Sequence, residues 1–180
     1  MQRFITLAFS ALLLLSLNAA TPETHYTVIV SLDGFRWDYP DMYKTPNLDR
    51  MAADGVKAVM LPSYPASTFP NHYTLATGLV PDHHGIINNT FWDVKNRRQY
   101  SMGDSATRNN PEYYLGEPIW ITAQKQGVKT GNMYWVGSDI AIKKSHPTYY
   151  RPWNAKPFLT FEQRIDTVLT WLQKPEPERP

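Results

Sequence analysis

The sequence predicts an α/β fold with a mainly parallel sheet flanked by helices. Three features carry that expectation. Residues 26–32 (YTVIVSL) form a nearly continuous apolar, β-branched run that halts at Asp33-Gly34, the pattern of a strand buried on both faces. Similar runs recur further along the chain. Segments of helical period lie between them, so the order reads strand, helix, strand, helix, helix, strand, helix.

Each later element has its own local reason. Thr45 and Pro46 suit the start of a helix in which Leu48, Met51 and Ala52 share a face, and Gly55 stops it. Residues 56–61 read as the next strand. A Pro-rich loop, 62–70, leads to a short helix over 71–77 that ends at Gly78, and 81–89 reads as loop. Residues 90–116 are mixed and polar and carry no clear period. Residues 118–126 read as helix closed by Gly127, residues 128–136 as strand, and 137–159 as irregular. Residues 160–173 are amphipathic, with Phe161, Ile165, Val168, Leu169 and Leu172 on one side. The tail from Lys174 is polar and Pro-rich.

The first twenty residues differ in kind. Arg3 precedes an apolar run at 4–17, and Ala19 and Ala20 follow, which is the arrangement of a cleaved secretory signal peptide. The run is about fourteen residues, short of the roughly 20 that a membrane span needs. The expected organisation is therefore a signal peptide at 1–20 and a globular segment at 21–180. The mature product is expected to be exported, periplasmic or secreted, with no membrane span once the leader is removed. No cysteine follows the apolar run, so a lipoprotein anchor is excluded.

Composition narrows the chemistry. Hydrophobic residues make up 42% of the 180-residue chain and aromatics 13%, enough for a packed core. A formal net charge of +2 gives no support to a nucleic-acid polymer or a charged membrane surface as partner. With no cysteine, disulfides, thiolate catalysis and thiolate metal sites are excluded. Any metal must be held by carboxylate, imidazole, hydroxyl or backbone oxygen.

Asp33, Thr68 and Asn89 are the candidate chemical residues. Asp33 sits at the end of the first predicted strand, the edge where open α/β sheets bind ligands, although an Asp there also closes ordinary turns. Thr68 precedes a predicted helix whose N-terminus favours phosphate. Its hydroxyl needs a base or a metal to become a nucleophile, Ser67 competes for that part, and a plain helix cap is the competing structural role. The Asn89 amide suits donation to a charged phosphoryl oxygen, or simply the closing of a turn. Neither of the adjacent His83 and His84 has a partner at helical ligand spacing, and His84 reads as a loop residue making structural hydrogen bonds.

The runs VIVSLDGFRWDY (28–39), TPNLDRMAADGV (45–56), PSYPASTFPNHYTLATGLVPDHHGIINNTFWD (62–93) and YWVGSDIAI (134–142) together resemble the nucleotide pyrophosphatase/phosphodiesterase family of the alkaline phosphatase superfamily. The resemblance extends from about residue 26 to the end of the chain. It implies an alkaline phosphatase-like fold and a zinc-dependent hydrolase of phosphodiester or pyrophosphate bonds working through a phosphothreonine. Asp33 would ligate one of two Zn2+ ions. Thr68 would be both nucleophile and zinc ligand, and Asn89 would steady a non-bridging phosphate oxygen. Phe69 would pack on a nucleotide base, with Trp153 opposite, chosen over Tyr149 and Tyr150. The implied partner is a small-molecule phosphodiester or nucleotide.

The resemblance is incomplete. The E-P-D-x-x-G-H and D-H-G-M segments that supply the family's other metal ligands do not occur, and His25, His72, His83, His84 and His146 lack the matching neighbours. The expectation is accordingly a truncated N-terminal part of the catalytic domain, inactive by itself, whose full-length parent is the enzyme. The alternatives are a phosphomonoesterase or another hydrolase of the same superfamily, or a non-catalytic unit. The T-F-P-N run, Asn89 and the missing sulfatase motif argue against the other hydrolases.

Overall fold

The computed structural model describes residues 25–180, so the predicted leader lies outside the described residues. The chain divides between Arg36 and Trp37 into two units. In the first, residues 26–32 are extended and end in a turn. The Phe35 N–H donates to the Leu32 carbonyl at 3.2 Å. Gly34 takes the left-handed conformation (φ +71°) that such a turn requires at its third residue. This is the sharp turn expected at Asp33-Gly34, but the strand expected before it is not formed. Val28 and Val30 remain 58% and 76% exposed and enter no ladder.

The second unit begins with two helices, α1 (Tyr39–Met42) and α2 (Pro46–Asp54). Thr45 occupies the N-cap of α2, yet its hydroxyl donates to the Asp49 carboxylate at 2.9 Å and does not cap the backbone. Residues 56–61, expected as a strand, are extended and unpaired, with Val56 94% exposed. Both corrections have one cause. β-branched composition favours a pleated conformation but does not create a strand, which exists only through a hydrogen-bonded neighbour. Neither segment is part of a ladder among the described residues.

The chain continues through α3 (Thr68–Thr77) and α4 (Pro81–His84). Gly78 closes α3 in the left-handed conformation, its N–H reaching the Thr74 carbonyl. Residues 90–116 are ordered by a hairpin of β1 (Thr90–Asp93) and β2 (Arg98–Ser101). Helix α5 (Ser105–Arg108) and a 3-10 turn (Pro111–Tyr113) follow. Then come α6 (Ile119–Lys125), β3 (Gly131–Met133), β4 (Tyr149–Arg151) and α7 (Phe161–Leu172). β3 and β4 pair in parallel, the portion of the predicted parallel sheet that is formed here. The expected 128–136 strand thus contracts to three residues. The predicted helix 160–173 is α7, opened by a complete capping box between Thr160 and Gln163. Its apolar side stays open, with Phe161 74% and Ile165 59% exposed.

The core is aromatic and centres on α3. Phe69, Tyr73 and Ala76 point inward at helical spacing and meet Ile86, Tyr100, Tyr113, Tyr114, Trp120, Ile121, Val136, Ile140 and Ile142. Tyr73 packs edge-to-face on Tyr114 at 5.3 Å and on His84 at 5.0 Å. Gly137 is required beside this cluster. Its φ is +83°, and a Cβ there would sit 3.3–3.4 Å from the Tyr73 and Tyr114 rings.

Candidate active site

The candidate residues of the second unit converge on the first turn of α3. Ser67 holds the N-cap position with extended backbone and makes no side-chain cap bond, so Thr68 is the first helical residue. The cap role weighed for Thr68 thus falls to the position before it. A helix start leaves its first amide N–H groups without intrahelical partners. Pro70 has no N–H to leave orphaned. The Phe69 N–H is taken by the Asn89 side-chain oxygen at 2.9 Å.

That contact defines how Asn89 presents itself. An oxygen that accepts from a backbone N–H must be the amide oxygen, so the NH2 end is left as donor one residue from Thr68. The Asn89 backbone is also fixed. Its N–H donates to Asn88 Oδ1 at 2.8 Å, and its carbonyl accepts from the Met102 N–H at 2.9 Å.

Three further anchors hold this turn, and sequence reasoning gave none of them a role. Asn71 ties the Pro-rich loop to the helix. Its Oδ1 accepts from the Ser63 N–H at 2.8 Å, and its Nδ2 donates to the Pro65 and Ser67 carbonyls, each at 3.0 Å. His72 Nδ1 donates to the Thr68 carbonyl at 2.8 Å, which places its proton on that nitrogen. Trp135 Nε1 donates to the His72 carbonyl at 3.1 Å, and the Trp135 and His72 rings meet edge-to-face at 5.5 Å. The sequence signal for Asn71 and His72 was their place in the T-F-P-N-H run.

His84 is fully buried and makes the structural hydrogen bonds expected of it, but it ends the short helix α4 and does not lie in the loop expected over 81–89. Nδ1 accepts from the Ile86 N–H at 3.2 Å, so the proton sits on Nε2, which faces the Pro70 carbonyl at 3.1 Å and Thr74 Oγ1 at 3.0 Å. Burial lowers its pKa, outweighing the contacts that favour the charged ring.

Phe69 and Trp153 are brought together, edge-to-face at 5.0 Å with planes at 90°. Phe69 is 1% exposed and belongs to the core, whereas Trp153 is half-buried at its margin. The two rings touch, so no open slot separates them in this conformation. Burial raises the Asp139 pKa, against the opposing pull of its own N–H, nearby Arg108 and the Trp153 backbone amide.

Asp33 lies in the first unit, exposed, at the turn closed by Gly34. Among the described residues no group of three or more His, Asp or Glu side chains is placed to hold a metal ion. A zinc site takes about four ligands, so the described residues do not by themselves fit one.

A family model described as type I phosphodiesterase / nucleotide pyrophosphatase matches residues 27–180. The chain is 44% identical over 161 residues to human ectonucleotide pyrophosphatase/phosphodiesterase family member 1, covering 88% of this chain and 17% of that protein. Bovine family member 3 is 43% identical over 156 residues, covering 85% and 18%. Venom phosphodiesterase 2 of Crotalus adamanteus is 40% identical over 156 residues, covering 85% and 19%. The chain thus spans less than a fifth of these relatives' length. Among solved structures, murine ectonucleotide pyrophosphatase/phosphodiesterase 5, an inactive threonine-to-alanine variant in complex with AMP, superposes with a TM-score of 0.74 at 34% identity. That match covers 83% of this chain and 40% of the other. The human counterpart gives 0.71 at 36% identity, covering 83% and 40%. The fold class is therefore that of these alkaline phosphatase-like α/β proteins, of which the described chain forms a part.

Proposed function

The chain belongs to the type I phosphodiesterase / nucleotide pyrophosphatase family, and from that premise we propose that its full-length protein hydrolyses phosphodiester or pyrophosphate bonds in nucleotide-type small molecules. Residues 21–180 are the N-terminal part of its catalytic domain. The observation that supports this reading is the 2.9 Å bond from the Phe69 N–H to Asn89 Oδ1, which ties Asn89 to the residue after Thr68 through the amide oxygen.

Thr68 is the nucleophile. Its Oγ1 attacks phosphorus as its proton passes to solvent, the leaving oxygen departs with its electron pair and takes up a proton from solvent, and a phosphothreonine forms. Water then attacks the same phosphorus and returns the hydroxyl. Asn89 Nδ2 donates to a non-bridging oxygen, where charge grows in the transition state; such a donor is worth about 10²–10³ in rate. The parallel with a neighbour inactivated by a threonine-to-alanine change, and crystallised with AMP, supports both the nucleophile and the nucleotide substrate.

Asp33 and Thr68 are the ligands this chain would contribute toward two Zn2+ ions. Bound zinc would lower the pKa of a coordinated hydroxyl. Because the described residues do not complete such a site, no step above is routed through it. Trp153 and Phe69 form the aromatic margin facing a base, with Trp153 offering the accessible ring. The signal peptide at 1–20 directs export to the periplasm or beyond. Among the described residues no helix is long and apolar enough to cross a membrane.

The test is Thr68→Ala in the full-length protein with a nitrophenyl nucleotide diester. Thr68 is not the cap, so the variant should still fold and melt cooperatively while turnover falls by several orders of magnitude. Acid-quenched wild-type protein should carry phosphate on Thr68, and Thr68→Ser should keep part of the activity. A near-normal kcat in Thr68→Ala would end this assignment.

A further inference from the structure

Tyr134 closes β3 in the left-handed conformation, with φ +54°. Aromatic residues rarely adopt it, and an observed outlier of this kind directs attention to what it holds. Here it sends the ring toward the segment 151–159. The Tyr134 phenol oxygen accepts from Arg151 Nε at 3.1 Å and from the Leu159 N–H at 3.1 Å, one residue at each end of that segment.

Both ends are secured again by the same groups. The Arg151 guanidinium also donates to the Pro157 carbonyl at 2.8 Å. The Arg164 guanidinium lies 4.7 Å from the Tyr134 ring centroid, and its Nε donates to the Leu159 carbonyl at 3.1 Å. The Tyr134 N–H bonds to the Arg151 carbonyl at 3.1 Å. The chain therefore leaves Arg151, runs through Trp153 and returns to Leu159, with one phenol oxygen gripping both feet of the loop.

Within the loop, Trp153 is held at its ring by Phe69. Tyr134 touches none of the residues assigned to bond cleavage. A loop whose feet are tied has few ways to move its middle, and the ring in the middle is the accessible aromatic of the site.

We propose that Tyr134 is a positioning residue whose phenol oxygen clasps the two ends of the 151–159 loop and thereby sets where Trp153 meets the aromatic part of a substrate. This rests on the reading of Trp153 as the base-facing residue. Partial desolvation raises the phenol's pKa, but the Leu159 N–H, the Arg151 contact and the charges of Arg151 and Arg164 outweigh it, and the net shift is downward. That is the direction expected of an oxygen committed to accepting.

The test is Tyr134→Phe in the full-length protein, which removes the oxygen and keeps the ring under Arg164. Two esters are compared, a nitrophenyl nucleoside phosphodiester and a nitrophenyl ethyl phosphodiester that has no base. KM for the nucleoside ester should rise about five- to tenfold, the scale of one net hydrogen bond. Its kcat, and both constants for the ethyl ester, should hold. Hydrogen exchange should show the Leu159 amide protected in wild type and released in the variant. Arg151→Leu, which removes the other arm, should shift KM in the same direction. An unchanged KM, an equal loss on both esters, or a Leu159 amide already unprotected in wild type would overturn the proposal. Wild-type protein that cleaves neither ester and binds no AMP by calorimetry would overturn the functional reading, and this inference with it.

Discussion

Replacing Asn89 separates its two ends. In Asn89→Ala the Phe69 N–H loses its acceptor in a half-buried position at the start of α3. The cost of that loss is about 1–2 kcal/mol. In Asn89→Asp an oxygen remains to accept from Phe69, and a negative charge at a helix N-terminus adds about 0.3–1 kcal/mol of stability. The Asp variant should therefore match or exceed wild type in denaturant midpoint, and the Ala variant should fall below it with an unchanged m-value. Activity should follow another order. Both variants lack the NH2 donor, so kcat should drop about 10²–10³-fold in each, and further in Asp, whose charge opposes an anionic phosphoryl group. Urea melts and kinetics on a nitrophenyl nucleotide diester, made on the full-length protein, supply both numbers. An Asp variant with near-normal kcat would show that the amide nitrogen is not used. An Ala variant as stable as wild type would show that the Phe69 contact contributes nothing.

Three other perturbations have defined outcomes. His84→Ala leaves the Ile86 N–H without its partner in a fully buried place; at about 1–3 kcal/mol for that group plus a cavity, a loss of about 2–4 kcal/mol should appear in chemical denaturation. Asp93 accepts from the Asn96 backbone N–H, the Tyr113 hydroxyl and the Asn96 amide, which hold its pKa at about 2 against the usual 3.8. Its folded pKa is the lower one, so its contribution is complete above pH about 4 and lost as pH falls toward 2; Asp93→Asn should flatten the melting temperature across that window, and an unaltered acid slope would refute the attribution. Asp33→Ala in the full-length protein should lower zinc stoichiometry by elemental analysis and abolish turnover, and unchanged metal content would remove Asp33 from the ligand set.

What the sequence made legible was what the chain settles locally. Helices α2, α3, α6 and α7 lie close to where capping residues, glycine stops and apolar period placed them, because those signals act within one or two turns. The two apolar runs at 26–32 and 56–61 read as strands but form none among the described residues, since pairing depends on partners far away in sequence. The hairpin β1–β2 was missed because its alternation is short and its turn, with Arg97 rather than glycine at φ +50°, lacks the usual residues. The nearness of Phe69 and Trp153 came only through the family resemblance, and the grip of Tyr134 on Leu159 had no sequence signal at all. Each joins segments that only tertiary packing brings together.

The run Thr68-Phe69-Pro70-Asn71-His72 shows why so short a motif can be so specific. Its residues face different ways and answer to different constraints. Phe69 fills the core, and its backbone N–H orients Asn89. Pro70 removes an amide that would otherwise need a partner, and its carbonyl meets His84. Asn71 fastens the preceding loop through four backbone groups. His72 offers its carbonyl to Trp135 and its ring to the Thr68 carbonyl. Thr68 is the first helical residue, and the other four members help to hold the turn that carries it. A functional group placed this way depends on its neighbours more than on itself for geometry. Substitutions at Asn71 should therefore depress turnover through the disposition of Thr68 as well as through stability, whereas substitution of Thr68 should leave the turn intact.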